Sequence, residues 1–453
     1  MKNTTPNNNH NVLNDDRIGL LLLKLAAPAF FGMFVMTLYN VVDTIFIGHF
    51  VGPLAIAALS IAFPLQILTM GIGMMVGLGG ASLMSRLIGA GDTPRAERAL
   101  GNSITADIIL SLLLTVVILA NLGFWLRLIG ASDEVLPYAR DYLSIVISGA
   151  VTATFGMALV SFIRSEGNAR VGMTGMIIGA GLNIVLDAIF IIPLGWGVKG
   201  AALATVIAQV VSLAYLLSYY ITGTSYLKIR TPNLKPELAI LRSIFAIGVA
   251  SFVRTVATSL TAMFIIRTIV TYGGDFSLSA FGIIQRIMMF AFMPSMVIGQ
   301  GLQPILGYNY GARRFDRARR AITIAIVAAT ACSVLVFLVV YFIPQPIIGI
   351  FTGDASIIEL GTFAARRIFL ALPLLGFIMV SSLVFQSIGK AAESFVTAIV
   401  RPVAFLVPLV IVLPRYWQLD GVWFAFPIAD TLTFLLTLLL IIPVIRGFKK
   451  AGT

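Results

Sequence analysis

The sequence predicts an all-α integral membrane protein, with twelve transmembrane helices in two six-helix lobes related by a pseudo-two-fold axis along the membrane normal. Three observations predict this fold: the composition, a series of long apolar runs, and an internal repeat. Hydrophobic residues make up 59% of the 453 residues and charged residues only 11%, and the mean hydropathy is +1.00. Soluble domains are typically about half apolar and a quarter charged, so this composition is typical of a membrane protein.

The apolar runs are each long enough to cross a bilayer of roughly 30 Å at 1.5 Å per residue. None shows the alternation of a strand, so helices are expected rather than a barrel. The twelve predicted spans, in order, are Leu20–Phe50, Leu54–Ser85, Ile104–Phe124, Val135–Ile163, Val171–Leu194, Gly197–Ile221, Leu238–Thr271, Leu278–Gly307, Ala321–Ile343, Leu360–Phe385, Phe395–Leu413 and Val422–Ile445.

Basic residues predict the orientation of these spans. With the N-terminus inside, twenty Lys and Arg residues lie in inner segments and span ends, and only Arg127, Arg140, Lys199 and Arg415 lie outside. Positive charge accumulates on the cytoplasmic side of membrane proteins. We therefore expect an even number of spans and two cytoplasmic termini.

The chain also repeats itself at a constant offset, which carries position 89 onto position 311. GAGDTPRAERAL at 89–100 matches GARRFDRARRAI at 311–322, and the same repeat offset carries Gly77 and Gly79 onto Gly299 and Gly301. Six spans separate equivalent positions, so the repeat is parallel. The expected divisions are a cytoplasmic tail at 1–17, an N-lobe at 18–222, a cytoplasmic linker at 223–237, a C-lobe at 238–447 and a second cytoplasmic tail at 448–453.

Composition and motifs argue against several function classes. The net charge of +12 follows from the positive-inside pattern, so no nucleic-acid partner is expected. A single cysteine, Cys332, and only two histidines, His10 and His49, disfavour a multi-cysteine metal site and a histidine-based catalytic centre. The sequence lacks the phosphate-binding G-x-x-x-x-G-K-[ST] of an ATP-driven pump. We expect neither an enzyme nor an organic cofactor.

The first span carries an unexpected charge. Asp43 lies about seven residues, or 10 Å, before its outer end, where a carboxylate costs on the order of 2.5–3.5 kcal/mol. Pro28 removes a backbone hydrogen bond from the same helix, so we predict a hinge there. A bendable helix with a buried acid suits an ion-coupled transporter. The alternative is a structural, hydrogen-bonded aspartate.

Four further polar side chains are predicted at a depth similar to that of Asp43. They are Asn183 and Asp187 in the fifth span, Thr205 in the sixth and Tyr142 in the fourth. Oxygen ligands suit a hard cation such as Na⁺, and two nearby carboxylates in a low dielectric favour a bound cation or proton. The predicted cation ligands are Asp43, Asn183, Asp187 and Thr205, with Tyr142 beside them. These groups could instead only hydrogen-bond one another.

The second lobe does not copy this set. The repeat offset carries Asp187 onto Leu409 and Asp43 onto Ile265. If the eighth and twelfth spans are neighbours, Asp430 could pair with Arg286, and a structural salt bridge is then expected. The predicted substrate-cavity residues are Met33, Met36, Tyr39, Asn40, Arg254, Met288 and Met289, since polarizable methionines suit varied apolar ligands.

At this point the sequence resembles a known family. LYNVVDTIFIGHFVG in the first span, GLNIVLDAIFIIPLGWGVKGAALATVIAQ in the fifth and sixth, and QGLQPILGYNYGARR after the eighth are similar to the multidrug and toxic compound extrusion (MATE) transporters. The last block, with FQSIGKA at 385–391, resembles the DinF/MepA-like branch. The resemblance implies an antiporter in a prokaryotic plasma membrane that exports amphipathic, often cationic drugs in exchange for Na⁺ or H⁺. The resemblance implies that the family's cation residues carry over onto Asp43, Asn183, Asp187 and Thr205, with Tyr142 beside them.

One alternative function stays open at this stage. Lipid-linked oligosaccharide flippases belong to the same superfamily, although they usually carry two extra helices. The expected partners are small amphipathic substrates and membrane lipid, with a monomeric protein and Na⁺ or H⁺ as the coupling ion.

Overall fold

The computed structural model describes residues 12–452, and all regular elements in this range are helical. The first eleven residues of the predicted tail and Thr453 lie outside the described residues. Eleven helices are long and apolar enough to cross a membrane, and one bent pair supplies a twelfth span. The prediction of twelve spans is confirmed.

Within the described residues, the first half of the chain forms eight helices. They are α1 (Ile18–Phe50), α2 (Pro53–Gly89), α3 (Thr93–Ala120), α4 (Leu122–Ile129), α5 (Leu136–Ser148), α6 (Ala150–Ser165), α7 (Ala169–Ile191) and α8 (Gly197–Ile221). α5 and α6 form the bent pair, with 50° between their axes at Gly149. A 3₁₀ turn, Thr231–Leu234, lies in the predicted linker.

The second half begins with a helical stretch from Leu238 to Gly311 that is broken by the non-helical Gly274. Its helices are α9 (Leu238–Gly274), α10 (Phe276–Gly311), α11 (Phe315–Phe342), α12 (Pro344–Gly349), α13 (Ala355–Ile368), α14 (Leu372–Ser387), α15 (Ala391–Ile399), α16 (Val407–Val412) and α17 (Pro414–Gly452). A 3₁₀ turn, Phe369–Ala371, joins α13 to α14, and a π-helical turn, Val400–Leu406, joins α15 to α16.

The internal repeat is visible in the backbone. Left-handed conformations recur at positions related by the repeat offset, at breaks or turns between successive spans. The equivalent pairs are Gly52 with Gly274, Gly91 with Arg313, and Gly167 with Gly389. At Arg313 a side chain tolerates a conformation that glycine adopts at no steric cost in the first copy. The two halves therefore share a backbone pattern as well as a sequence pattern.

The chain folds into two compact units whose limits fall inside helices. Unit 1 contains Ala27–Phe252 and the described residues up to Asp15, and unit 2 contains Asp16–Ala26 and everything from Val253 onward. α1 thus changes unit just before Pro28, and α9 changes unit after its first fifteen residues. The predicted lobes, in contrast, keep each of these helices whole.

Close helix packing explains why the first segment of α9 belongs to unit 1 and the first segment of α1 to unit 2. In unit 1, a Cβ added to Gly79 would lie 3.2 Å from the Cα of Gly248 on α9. In unit 2, a Cβ added to Gly301 would lie 3.3 Å from the Cα of Ala26 on α1. The repeat offset makes these two contacts equivalent. Small residues allow such backbone approach in membrane helices.

The predicted linker is attached to unit 1 along its length by three buried side chains. Glu166, at the end of α6, accepts hydrogen bonds from Ser225, from the Tyr226 amide and from Tyr219. Glu97 accepts from the Lys228 amide and pairs with Arg230. Asn102 accepts from the Glu237 amide and donates to the carbonyls of Asn233 and Lys235. The linker is therefore an ordered part of unit 1.

Unit 2 corrects one predicted pairing. Asp430 on α17 pairs with Arg401, and Arg286 is an exposed side chain, so the predicted Asp430–Arg286 bridge is wrong. Arg401 lies in the π-helical turn, which packs against α17. The prediction rested on equal depth in the membrane, and equal depth does not specify which helices are neighbours.

A candidate cation site in the first lobe

Two buried carboxylates form the centre of the candidate site. Asp43 on α1 is 8% exposed and Asp187 on α7 is fully buried. Each lies within range of the other's charge and hydrogen-bonding groups. The two residues are far apart in sequence, and the packing of α1 against α7 in unit 1 brings them together. Gly32 of α1 allows this close packing, because it lies against Met173 and Met176 of α7.

Two tyrosines stand beside the carboxylates. Tyr39, one turn before Asp43 on α1, and Tyr142 on α5 both lie within electrostatic range of Asp43 and Asp187. The Tyr142 hydroxyl accepts a hydrogen bond from Gln66 Nε2 on α2 at 3.3 Å. Four helices of unit 1 therefore contribute polar groups at this point.

A second pair of side chains links α7 to α8. Asn183 precedes Asp187 by one helical turn, so both face the same side of α7. Its Nδ2 donates to Thr205 Oγ1 at 3.4 Å, and Thr205 Oγ1 donates to the Ala201 carbonyl at 3.0 Å. Gly175 and Gly179 let α7 approach Leu216 and Ser212 of α8 closely. This packing sets the register of Asn183 against Thr205.

Four oxygen atoms of this site lack hydrogen-bond donors. With both carboxylates ionised, Asp43 Oδ1, Asn183 Oδ1 and both carboxylate oxygens of Asp187 are buried and accept no hydrogen bond. A proton shared by Asp43 and Asp187 would supply one donor. Burying an acceptor without a donor is costly, and burying an uncompensated carboxylate costs more. Buried oxygen atoms without donors are suitable ligands for a hard cation. A proton could instead neutralise a carboxylate, but it would not bind the amide oxygen of Asn183. Among residues 12–452 no three His, Cys, Asp or Glu side chains cluster as metal ligands, so neutral oxygens must complete any cation shell.

The predicted substrate-cavity residues are divided between the two units. Met33, Met36, Tyr39 and Asn40 lie along α1 in unit 1, where Asn40 Nδ2 donates to the Met36 carbonyl at 2.8 Å. In unit 2, Arg254 Nη2 donates to Ser382 Oγ at 3.1 Å. Met288 packs against the core of unit 2, and Met289 is 55% exposed. Whether these residues form one cavity remains a prediction.

Sequence reasoning missed two polar residues of unit 1, the half-buried Gln66 and the buried Asp107. Gln66 bonds to Tyr142, and Asp107 in α3 is fully buried with one oxygen lacking a partner. Asp107 is the only acidic residue in the predicted third span, Ile104–Phe124. The same argument that singled out Asp43 applies to it.

Comparison with known proteins agrees with this architecture. The MatE family model matches residues 28–189 and again residues 250–411, two segments whose ends are related by the repeat offset. The multidrug export protein MepA of Staphylococcus aureus strain N315 is 26% identical over 420 residues, covering 93% of this chain and 92% of MepA. MepA of Staphylococcus haemolyticus strain JCSC1435 is 27% identical with the same coverage.

Solved structures give the same result. The MATE multidrug transporter DinF-BH, determined as a complex with a ligand, is 39% identical with a TM-score of 0.88, covering 94% of this chain and 97% of that chain. A crystal structure of MATE in the bent conformation is 28% identical with a TM-score of 0.93, covering 99% and 100%. Since the family model matches both halves of the sequence and these structures match nearly the whole fold, the chain belongs to the MATE family of multidrug efflux transporters.

Proposed function

We propose that this protein is a secondary active antiporter that exports amphipathic, often cationic compounds in exchange for Na⁺ or H⁺. The coupling ion binds in the first lobe, at Asp43, Asn183, Asp187 and Thr205, with Tyr142 beside them. The protein spans a prokaryotic plasma membrane many times, with both termini in the cytoplasm.

One observation carries the proposal. Four buried oxygen atoms of Asp43, Asn183 and Asp187 have no hydrogen-bond donor, although they belong to side chains on two separate helices. Side chains that merely stabilised each other would pair their donors with these acceptors. Two adjacent carboxylates also repel each other unless a cation or proton is bound. An ion that comes and goes satisfies these oxygens in one state and frees them in another.

Relatives and charge balance support the proposed substrate class. MepA is a multidrug export protein, and DinF-BH is a multidrug transporter. A carboxylate pair that holds a cation can exchange that cation for a positively charged substrate, either by direct competition or through a change in helix packing. Antiport follows when the ion enters from outside and its binding lowers the affinity for the substrate.

Transport in liposomes tests the proposal. Purified protein is reconstituted with a fluorescent amphipathic cation inside, and an inward Na⁺ gradient or an inward pH gradient is imposed separately. We expect export driven by at least one gradient, abolished when that gradient is collapsed with an ionophore. Export that is unaffected by either gradient would contradict antiport. Translocation of a lipid-linked sugar without export of the cation would favour the flippase alternative.

A further inference from the structure

α3 carries one acidic side chain in its apolar stretch, Asp107, which the proposed coupling site does not use. This side chain is fully buried. Thr154 Oγ1 on α6 lies 3.0 Å from Asp107 Oδ2, whereas Oδ1 has no hydrogen-bond partner. Two residues earlier, Thr105 donates to the Leu234 carbonyl in the linker at 2.8 Å. Asp107 therefore lies just inside the end of the span that the linker covers.

α2 provides a depth scale that separates Asp107 from the candidate cation site. Gln66 of α2 bonds to Tyr142 at that site. Gly73 of α2 packs against Thr154, where an added Cβ would lie 3.0 Å from the Thr154 carbonyl oxygen. Gly73 follows Gln66 by seven residues, which is about 10 Å along a helix. Asp107 is thus placed between the candidate cation site and the linker.

No charged group pairs with Asp107 in residues 12–452. α2 presents Gly73 and Gly77 at this level, and Arg164 of α6 follows Thr154 by ten residues, about 15 Å of helix. α5 meets α3 at Thr115, eight residues beyond Asp107. The titratable groups on α3 and on the elements packed against it are Arg86 on α2, Arg95, Glu97 and Arg98 on α3, Arg127 on α4, Tyr138, Arg140, Asp141 and Tyr142 on α5, Arg164 on α6, and Tyr226, Lys228, Arg230, Lys235 and Glu237 on the linker. A proton is therefore the simplest way to neutralise this carboxylate.

The hydroxyl of Thr154 makes two contacts with one hydrogen. Its Oγ1 lies 3.0 Å from Asp107 Oδ2 and 3.2 Å from the Val151 carbonyl oxygen. If Asp107 is protonated on Oδ2, it donates to Thr154, and Thr154 donates to Val151, so both contacts are hydrogen bonds. When the proton leaves to water on the linker side, Thr154 must donate to the carboxylate, and the Val151 carbonyl loses the hydrogen bond from the Thr154 hydroxyl.

This exchange of partners lies beside the break between α5 and α6. Val151 follows Gly149, where the two helix axes diverge by 50°. α3 is bonded to both sides of the break, since Thr115 donates to the Ile147 carbonyl on α5 at 3.2 Å and Asp107 contacts Thr154 on α6. α5 also carries Tyr142, which reaches the carboxylate pair. A change at Asp107 can therefore reach the candidate cation site through one rigid helix.

We propose that Asp107 is a second proton-binding site of the first lobe, which gains and loses a proton during transport and thereby sets the angle between α5 and α6. The role in transport rests on the proposed function. The binding of a proton does not, and it can be measured without any transport.

Infrared spectroscopy of the full-length protein in lipid nanodiscs tests proton binding directly, because protonated carboxyl groups have their own C=O stretching band. We expect a band that disappears in Asp107→Asn, shifts in Thr154→Val, and loses intensity as the pH is raised. The band should persist in the double variant Asp43→Asn/Asp187→Asn. If that double variant cannot be purified, the wild-type protein is compared with Asp107→Asn instead, and the same band should be lost. No band lost in Asp107→Asn, or a band that never changes with pH, would overturn the proposal.

Transport separates a proton-exchanging site from a structural one. Asp107→Asn should slow gradient-driven export at least about tenfold (about 1.4 kcal/mol in the barrier) and flatten its pH dependence, with the Kd for the drug within about twofold of wild type. Ser111→Ala is the control, since Ser111 Oγ donates to the Asp107 backbone carbonyl and does not titrate; it should export normally. Wild-type rate and pH dependence in Asp107→Asn would overturn the proposal. If the wild type shows no ion-driven export, the proposed function fails, and the infrared result decides the Asp107 site by itself.

Discussion

Asn183 on α7 donates a hydrogen bond to Thr205 on α8, and the amide oxygen of the same Asn183 accepts none. The donor half of the amide is thus held by a neighbouring helix, and the acceptor half is buried beside Asp187, one turn further along α7. In the proposed cation site, this arrangement would hold the amide oxygen in place for the ion. Thr205 fixes Asn183 through this hydrogen bond, and the proposal also makes its hydroxyl a ligand.

The first prediction concerns Thr205. Thr205→Ala removes a neutral oxygen ligand and the partner of Asn183, so Na⁺ affinity should fall about tenfold, or roughly 1.4 kcal/mol. Proton-driven export should keep its pH dependence, because a hydroxyl does not titrate in this range. Radioactive sodium binding and export at several pH values measure the two effects. Thr205→Ser retains the hydroxyl and is the matched control. If Thr205→Ser and Thr205→Ala lose Na⁺ binding equally, the hydroxyl oxygen of Thr205 does not bind Na⁺.

The second prediction concerns Pro28. The boundary between the compact units falls between Ala26 and Ala27, and Pro28 cannot donate to the carbonyl one turn earlier. Pro28→Ala restores that hydrogen bond and should stiffen α1, slowing export at least about tenfold while leaving ion binding unchanged. The control is Pro64→Ala in α2, an interior proline away from a unit boundary. Normal export by the Pro28→Ala variant would mean that Pro28 is a static kink and not a hinge.

The third prediction concerns the linker. Glu166 is buried at the end of α6, outside the membrane spans, and burial raises its pKa from 4.5 to about 7 although Ser225, Tyr226 and Tyr219 donate to it. A carboxyl whose pKa is higher in the folded state stabilises that state below pH 4.5 and loses the contribution as the pH rises through 7. The difference is on the order of 3 kcal/mol. Attachment of the linker should therefore weaken across this window.

Spin labelling measures this attachment. A label at Ile229→Cys, in a Cys332→Ser background, should gain mobility as the pH rises through about 7. Glu166→Gln, which cannot ionise, should abolish this pH dependence, whereas Glu134→Gln, an exposed carboxyl elsewhere, should retain it. A Glu166→Gln protein with the wild-type pH profile would show that another group controls the linker.

Some of this structure could be predicted from the sequence because its signals are local or periodic. Apolar runs predicted the twelve spans, and the repeat offset recurs in the left-handed positions and in the Gly79 and Gly301 contacts. Counting residues from span ends predicted that Asp43 and Asp187 lie at one depth, although their role as an ion site stays a prediction. Asp107 carried the same signal as Asp43 in a different span.

Other features depend on packing that periodicity does not encode. The break at Gly149 lies inside one uninterrupted apolar run, Val135–Ile163, and glycine alone does not predict a bend there. Asp430 was assigned the wrong partner because equal depth does not show which helices adjoin. Attachment of the linker by Glu166 joins residues that are distant in sequence, such as Glu166 and Tyr226, which no local pattern indicates.

The central claim is that one carboxylate pair couples the ion gradient to export. Asparagine keeps the shape of aspartate and removes its charge, so Asp43→Asn and Asp187→Asn should each abolish gradient-driven export, with expression and thermal stability retained. The direct measurement is export of a fluorescent cation from liposomes by each variant, under the gradient that drives the wild type, with sodium binding recorded on the same samples. The account predicts loss of export in both variants, by a factor of at least about 100. Wild-type export in both would mean that the driving ion binds elsewhere and would contradict the account.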